Sequence, residues 1–495
     1  MPNPPLASVA TESPRQPARE GALNPVAVAA LAGLGALAAF VYFYRLGAAS
    51  WLSDELYYRE AASAYLDGDF SLNRENTLLA KYALGVVQLV AGDGQTTVRA
   101  PAAAAGLATG VALLLVGKRI GGWWAGIAAF ALWCFLPRPE IIGAFDIGRI
   151  KIERYFRLEV FMGLFVALAL LAAWRWSEKG GWRWAAAAGV AVGLAASSKA
   201  PGILVLPAVI LLGLVSRPLD RRTLLQSAAI AALAFGTVLV TYVPLGTDGL
   251  DAISDMFYVD DLRNNDITTP FIFFGTLYEN PPWWANLWWQ WKSLGAPAAV
   301  AVAACALAAP FVLPRRVLVL VGVALAVPLV FFMFRLNYAL PYYYYAWQPQ
   351  LMLGCALVLA ALVARGGLMR WAAAAIAVPL VIAGLGTIRD VATNGPQDYA
   401  AVALEVGPEL SDGVVLTWGL EAGRILKNEL PASQIAFDPQ AVQKVSGVLV
   451  DPAISSRRPS PGIAQYLRDH RDELVLRKIG RIEVYLPRDS AAAER

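Results

Sequence analysis

The sequence predicts an all-α polytopic membrane domain of about eleven transmembrane helices, followed by a small C-terminal extracytoplasmic α/β domain. Three observations predict it. Apolar residues make up 58% of the chain and charged residues only 16%, with a mean hydropathy of +0.52, far from the balance of a soluble protein of this length. The apolar residues gather into runs close to the roughly 20 residues that a helix needs to cross a bilayer core. After about residue 391 these runs stop, and short strand-like and helix-like segments alternate.

The first run, Pro25 to Tyr44, contains no charged residue and is too long for a signal-peptide core. It follows a polar, Pro-rich stretch, residues 1–24, read as a disordered cytoplasmic N-terminus. The predicted spans are 25–45, 97–116, 122–137, 158–175, 182–198, 200–215, 224–245, 294–313, 317–335, 345–364 and 371–388. Every second loop is basic: Lys118 and Arg119; Arg175, Lys179 and Arg183; Arg217, Arg221 and Arg222; Arg315 and Arg316; Arg365 and Arg370. Short basic loops stay in the cytoplasm, so these all fall on one side if the N-terminus is cytoplasmic. The longer loops 46–96, 138–157 and 246–293, and the tail 391–495, are then expected outside, with 25–390 as the membrane domain.

In the first outer loop, Ser53-Asp54-Glu55 reads as a helix start with Ser53 as N-cap. Tyr58, Ala62, Tyr65 and Leu66 follow at helical spacing, as in an amphipathic helix at the membrane surface that ends at Asp67-Gly68. Trp283, Trp284, Trp288, Trp289 and Trp291, and the run Tyr342 to Tyr345, read as interfacial aromatic belts or as surfaces that grip a sugar or lipid. In the tail, Gly413–Trp418, Ile435–Phe437, Gly447–Val450 and Ile482–Leu486 are predicted strands. Residues 397–406, 420–429 and 462–471 are predicted helices around a partly parallel sheet.

Composition also excludes function classes. The net charge of +4 gives no reason to expect nucleic acid. Cys134, Cys305 and Cys355 lie in apolar runs without paired or metal-ligand spacing, so neither a disulfide nor a zinc site is expected. The one histidine, His470, lies in the polar tail, which excludes histidine-based triad or metal chemistry in the membrane part. The spans carry almost no ionisable residues, unlike ion pathways. Chemistry is therefore expected in the outer loops.

Asp54 and Glu55 just outside a span suit a general base and a charge partner; they equally suit the acidic first turn of a helix. Arg138, Arg149, Lys151, Arg154 and Arg157 lie on the side where positive charge is disfavoured, partly balanced by Asp146, Glu153 and Glu159. They could grip a phosphate ester, or form a salt-bridged solvated loop. Lys81, Arg99 and Lys199 at the outer ends of apolar segments could snorkel, or together form a positive pocket that stabilises a leaving phosphate. Asp67-Gly68-Asp69, and Asp260-Asp261 with Asp266, could hold a divalent cation or simply be turn residues.

These residues stand in an order that resembles the C-type (GT-C fold) membrane glycosyltransferases, in particular protein O-mannosyltransferases and lipid A aminoarabinose transferases. Asp54-Glu55-Leu56-Tyr57-Tyr58 follows the first span. Gly68-Asp69-Phe70 leads to Glu75-Asn76-Thr77-Leu78-Leu79-Ala80-Lys81-Tyr82, which is similar to the family's Glu-His-Pro-Pro-Leu-x-Lys element. Val98-Arg99-Ala100-Pro101 resembles its arginine entering the second span, Arg157-Leu158-Glu159 its Arg-x-Asp element, and Ser198-Lys199-Ala200-Pro201 its lysine between spans 5 and 6. The likeness covers roughly the first 220 residues well, the remainder only in general layout.

The resemblance implies transfer of a sugar from a polyprenyl-phosphate carrier to an extracytoplasmic acceptor (lipid, protein or cell-wall glycan), in a plasma or cell inner membrane. Asp54 would be the catalytic carboxylate and Glu55 its neighbour. Lys81, Arg99, Arg149 and Lys199 would meet the carrier phosphate, and Glu159, Tyr58 and Tyr82 would orient the acceptor. Asn76-Thr77-Leu78 replaces the family's His-Pro-Pro, and Glu159 replaces its Asp, so donor or acceptor preference is expected to differ. Dependence on a divalent cation, Mg or Mn, stays open. The alternatives are a polytopic transporter or lipid flippase, which the scarcity of polar residues in the spans disfavours, and a non-catalytic membrane scaffold.

Overall fold

The computed structural model describes residues 24–138, 151–265, 271–273, 276–335, 339–340, 342–393, 399–410, 413–418, 420–431, 433–442, 445–452, 460–480 and 482–488. Arg149, Asp146, Asp266 and residues 1–23 of the expected N-terminal segment lie outside them.

The described chain begins with α1 (Pro25–Phe43). Asn24 caps it, its side chain accepting from the Ala27 N–H at 2.7 Å, and Pro25 supplies a preset backbone at the first helical position. Then come α2 (Ser53–Leu66), α3 (Leu79–Ala91), α4 (Gln95–Gly121), α5 (Trp123–Phe135), α6 (Leu158–Lys179), α7 (Trp182–Ser198), α8 (Leu206–Ser216), α9 (Arg221–Tyr242) and α10 (Asp248–Asn265). A short hairpin, β1 (Phe271–Phe273) with β2 (Thr276–Tyr278), precedes α11 (Ala285–Leu294) and α12 (Ala296–Val312). Next are α13 (Arg315–Phe334), α14 (Gln348–Arg365) and α15 (Gly367–Thr393).

Among the described residues seven helices are long and apolar enough to cross a membrane, and eight if the bent pair α11 and α12 counts as one span. Eleven spans were expected. The runs at 122–137, 182–198 and 200–215 form shorter helices: α5 has 13 residues, α7 has 17, and α8 has 11 after a 3-10 turn at Ala200–Val205. A helix of 13 residues is about 20 Å long, short of a core about 30 Å thick. Apolar character alone did not fix length. It also hid α3, an apolar helix inside what reads as an outer loop. Close approach holds α4 and α5 together. A Cβ on Gly126 would meet the Leu114 carbonyl oxygen at 2.5 Å, and one on Gly117 the Ala125 oxygen at 2.9 Å. Small residues at such crossings let backbones touch, the usual device of membrane helices.

The bundle has one continuous apolar core. Its outward faces stay apolar and exposed, as at Phe235, Val240, Leu307 and Leu385, which suits contact with lipid rather than water. A smaller cluster of Ala61, Tyr65, Leu78, Tyr242, Leu245 and Ala252 joins α2 and α3 to α9 and α10.

The tail forms α16 (Tyr399–Leu410), β3 (Val414–Thr417), α17 (Leu420–Glu429), β4 (Gln434–Ala436), β5 (Val445–Val450), α18 (Pro461–Asp469), β6 (Leu474–Ile479) and β7 (Ile482–Pro487). Its sheet has the order β4-β3-β5-β7-β6. β3 is parallel to β4 and β5, and β7 is antiparallel to β5 and β6. β6 was not expected. Its Val475, Leu476 and Arg477 are partly or well exposed on an edge, so its pattern lacks the alternation of a half-buried strand.

Candidate active site

The site begins where α1 ends. The last carbonyls of a helix have no partner within it, and the turn of residues 44–52 adds more. Two buried arginines from elsewhere in the chain supply the donors. Arg154 donates to the carbonyls of Val41 (2.7 Å), Tyr44 (2.6 Å) and Arg45 (3.3 Å). Arg99 donates to those of Leu46 (3.2 Å), Ala49 (2.9 Å) and Ser50 (2.6 Å). Arg99 also grips Glu55 in a two-pronged pair, Nε to Oε1 at 3.0 Å and Nη2 to Oε2 at 2.8 Å.

Glu55 and Arg99 are fully buried. The Glu55 carboxylate further accepts from the Leu52 N–H at 2.9 Å and the Phe156 N–H at 2.7 Å. The helix therefore begins at Ser53, with Leu52 rather than Ser53 as N-cap, and Glu55 reaches back to close its first turn. All five guanidinium N–H groups of Arg99 are engaged inside the protein, so in this conformation it offers none to a phosphate. Glu55 is likewise saturated. Both hold the turn in this conformation, where the resemblance implied a place beside the catalytic carboxylate for Glu55 and at the carrier phosphate for Arg99.

Asp54, next to this clamp, is different. Its carboxylate is 39% exposed and pairs with Arg157, whose side chain is 6% exposed. The Arg157 guanidinium lies 4.6 Å from the Tyr342 ring centre, a cation–π contact that fixes its plane. One turn along α2, Tyr58 is buried, edge-on to Phe156 at 6.1 Å. Burial holds the Tyr58 phenol proton far more tightly than usual. The negative charges of Asp54 and Glu159 add to this, and Arg157 opposes it. Tyr58 is thus kept as a donor among three charged groups.

Glu159, in the first turn of α6, pairs with Lys199 at 3.3 Å. Lys199 ends α7, and the adjacent Ser198 carbonyl accepts from the Thr77 hydroxyl at 2.6 Å. That bond brings the start of α3, and with it Lys81, up to Lys199. Lys81 is fully buried. Its ammonium donates to the Asn73 carbonyl, to Asn73 Oδ1 at 3.2 Å and to the Asn76 carbonyl at 3.1 Å, and lies 5.3 Å from the Tyr65 ring. Burial lowers the Lys81 pKa to about 7, with Glu75 opposing and Lys199 adding to the shift. Asp54, Arg157, Tyr58, Glu159, Lys199 and Lys81 thus form one chain of contacts and charge interactions across α2, α6, α7 and α3.

Other expected residues stand apart. Tyr82 donates to the Thr241 carbonyl at 3.0 Å and packs with Tyr65 and Phe70, so it braces α3 against α9. The second outer loop, where described, is neither solvated nor open to a ligand. Arg138 Nε donates to Glu153 at 2.8 Å, and its guanidinium lies 3.9 Å from the Trp133 ring. Lys151 donates to the Trp133 carbonyl at 2.9 Å. All three charged groups are fully buried, and a Cβ on Gly106 of α4 would meet Glu153 Cβ at 2.8 Å. The segment is clasped into the bundle, because each cation finds a carboxylate or carbonyl there. Of the basic residues in this loop, Arg157 reaches the site. Its Arg-x-Glu spacing was visible in sequence, but its pairing with Asp54 was not.

Asp67-Gly68-Asp69 follows turn chemistry, whereas Asp260 and Asp261 lie within α10. Hydrogen bonds from the Ser71 side chain and, second, from its N–H (2.9 Å to Asp69 Oδ1) lower the Asp69 pKa. Among the described residues no three His, Cys, Asp or Glu side chains converge as a metal site would require.

Residues 75–245 match the family model described as dolichyl-phosphate-mannose-protein mannosyltransferase. No curated protein matches the chain by sequence. Among solved structures, the chain is similar to ArnT from Cupriavidus metallidurans bound to undecaprenyl phosphate, at 14% identity and a TM-score of 0.59, covering 92% of this chain and 97% of that one. It is also similar to the archaeal oligosaccharyltransferase AglB from Archaeoglobus fulgidus in complex with an inhibitory peptide and a dolichol-phosphate, at 13% identity and a TM-score of 0.54, covering 87% and 70%. The chain is a multi-pass membrane protein with the fold of the C-type (GT-C) glycosyltransferases, and its resemblance to them is carried by architecture and by the mannosyltransferase model over residues 75–245.

Proposed function

We propose that this chain transfers a sugar from a polyprenyl-phosphate carrier to an extracytoplasmic acceptor, with Asp54 as general base. The observation that carries the reading is the contrast between the two neighbouring carboxylates. Glu55 is buried and saturated, whereas Asp54 is half-open and held by one arginine.

In this reading the acceptor hydroxyl or amine approaches Asp54, which takes its proton as the acceptor atom attacks the anomeric carbon. The bond from that carbon to the phosphate oxygen breaks, the electron pair leaves with the phosphate, and the configuration inverts. Arg157 orients Asp54. Lys199 and Lys81 meet the charge that develops on the leaving phosphate, and Glu159 orients Lys199. Lys81 exchanges its contacts with Asn73 and Asn76 for phosphate oxygens. The fold of ArnT, which was solved with undecaprenyl phosphate, supports the choice of carrier class. Arg149 remains a candidate phosphate ligand by the sequence resemblance alone.

Mass spectrometry of polyprenyl lipids and acceptors, with the protein in membranes, tests this. Asp54→Asn should abolish transfer while binding of undecaprenyl phosphate persists, and Lys81→Ala should weaken that binding. Turnover by Asp54→Asn at the wild-type rate refutes the mechanism.

A further inference from the structure

Helix α11 plays no part in the reaction above, yet its two faces are sharply different. It meets α12 at 116°, with the turn made at Gly295 (φ 76°). It therefore runs across the direction of the span that it feeds. Trp283, just before the helix, and Leu287 and Trp291 within it are four residues apart, so they share one side. They are 55%, 37% and 37% exposed. Ala285, Asn286, Trp289, Gln290 and Ser293 on the other side are buried.

The exposed stripe does not end at α11. Trp283 stacks on Phe334 at 6.0 Å and 12°. Phe334 is the outer end of α13 and is 69% exposed, with Val330 one turn earlier at 57%. The stripe is thus continuous with the lipid-facing side of a membrane span. Tryptophan at the end of a span favours the headgroup layer, and a helix with one apolar face lies flat there.

The buried face leads to the site. Gln290 Oε1 accepts from Gln348 Nε2 at 2.7 Å and from Trp347 Nε1 at 3.1 Å. Asn286 donates to the Phe332 carbonyl at 3.1 Å. Trp347 closes the 3-10 turn Tyr343–Trp347, which follows directly on Tyr342, the ring beside Arg157.

We propose that α11 docks on the bilayer, with Trp283, Leu287 and Trp291 in the headgroup layer of the leaflet on the Asp54 side. Gln290 on its opposite face then ties this anchor to the turn that holds Tyr342 over Arg157. The occupant is the lipid surface because the stripe continues the lipid-facing side of α13. The inference stands apart from the transfer reaction, and its test needs no turnover.

Full-length protein carrying Leu287→Cys is spin-labelled and placed in vesicles of phosphatidylcholine and phosphatidylglycerol. The three native cysteines are buried, and labelling of wild type measures any background. Collision with oxygen, which partitions into lipid, is compared with collision with a water-soluble nickel chelate. Reference labels are Leu385→Cys on α15 and Leu404→Cys on the outer domain. The label at 287 should favour oxygen over nickel, as at 385. A label that behaves as at 404 refutes docking on lipid. A label shielded from both reagents does so too, because a protein partner or a second copy then covers the face. Trp283→Cys repeats the test if Leu287→Cys disturbs folding. For the link to the site, Gln290→Leu should speed hydrogen exchange in residues 342–348 about five- to tenfold, with β5 unchanged. Unaltered exchange in 342–348 refutes the tie.

Discussion

The pH dependence of carrier binding probes Lys81 directly. Its ammonium has lost its hydration, and burial brings its pKa down from 10.5 to about 7, with Lys199 adding to the shift and Glu75 opposing it. In the lipid-free protein the neutral amine therefore dominates above about pH 7. A phosphate needs the ammonium, so binding in that range must take up a proton. Affinity then falls as pH rises through and beyond about 7. For a group with this pKa the charged fraction is about 0.24 at about pH 7.5 and about 0.03 at about pH 8.5. The difference is about eightfold in affinity, or about 1.2 kcal/mol. The phosphate monoester, with a second pKa of about 6, is already a dianion over this window and adds little to the slope. Arginine stays charged throughout, so Lys81→Arg should bind undecaprenyl phosphate with a nearly flat profile. Calorimetry or native mass spectrometry in detergent reads both proteins. A flat profile in wild type, or the same slope in Lys81→Arg, refutes the assignment of Lys81 to the phosphate. The same depression has a sign in stability: the folded protein gives up this proton before the unfolded chain does. The lipid-free protein should gain stability as pH rises from about 7 toward 10.5.

The other expectations concern the scaffold and Arg157. Arg99→Lys keeps the charge but leaves three donors for five bonds, so two buried acceptors lose partners at about 1–3 kcal/mol each; thermal unfolding in detergent should show a loss of about 2–6 kcal/mol, and an unchanged midpoint contradicts the clamp. Gly106→Ala forces a Cβ to within 2.6 Å of the Tyr42 ring and 2.8 Å of Glu153. It should cost about 1–3 kcal/mol, while Gly236→Ala, with nothing within 4 Å, should stay within about 0.5 kcal/mol of wild type. Arg157→Lys should lower turnover about tenfold or more with carrier binding unchanged, because a lysine reproduces neither the planar grip on Asp54 nor the contact with Tyr342; a fall in carrier affinity instead would place Arg157 on the phosphate.

The sequence showed which residues are charged beside apolar segments, and with the family resemblance that nominated Asp54, Glu55, Lys81, Arg99, Lys199 and Glu159. It could not show how many hydrogen bonds each charge already makes. Arg99 and Lys81 look alike in sequence, each a cation at the edge of an apolar run. Arg99 spends its donors on carbonyls 49 to 53 positions earlier in the chain. Such pairings depend on how α4 lies against the α1–α2 turn, and no local pattern encodes that. The second loop of cations left two readings open, a phosphate grip or a salt-bridged solvated loop, and the pattern could not show that Arg138 and Lys151 meet the Trp133 carbonyl deep in the bundle. Helix lengths were blurred because alanine and glycine extend an apolar run without extending a helix. The C-terminal α/β segment was easier to read, since its parallel strands β3 and β5 are short apolar runs bounded by polar turns.

A membrane helix that stops before the next helix starts leaves a stretch of irregular backbone, and every carbonyl in it must find a donor near the lipid boundary. Here the donors are arginines from two distant segments. Their cost in desolvation is offset only when each N–H is satisfied, as at Arg99. Once Arg99 and Arg154 hold the turn, the start of α2 is fixed, and its N–H groups and dipole favour a negative Asp54. In the proposed mechanism the division of labour among the cations follows only in part from exposure, since Lys81 is as buried as Arg99 and is assigned through its interaction with Lys199. Arg99, Arg138 and Lys151 are sealed and donate to internal acceptors. Lys199, still 19% exposed and shared with Glu159 at 3.3 Å, and Arg157, beside the half-open Asp54, are left where a substrate could exchange with their present partners. In the proposed mechanism the chemistry falls to the charges whose bonds can be traded, and the architecture to those whose bonds cannot.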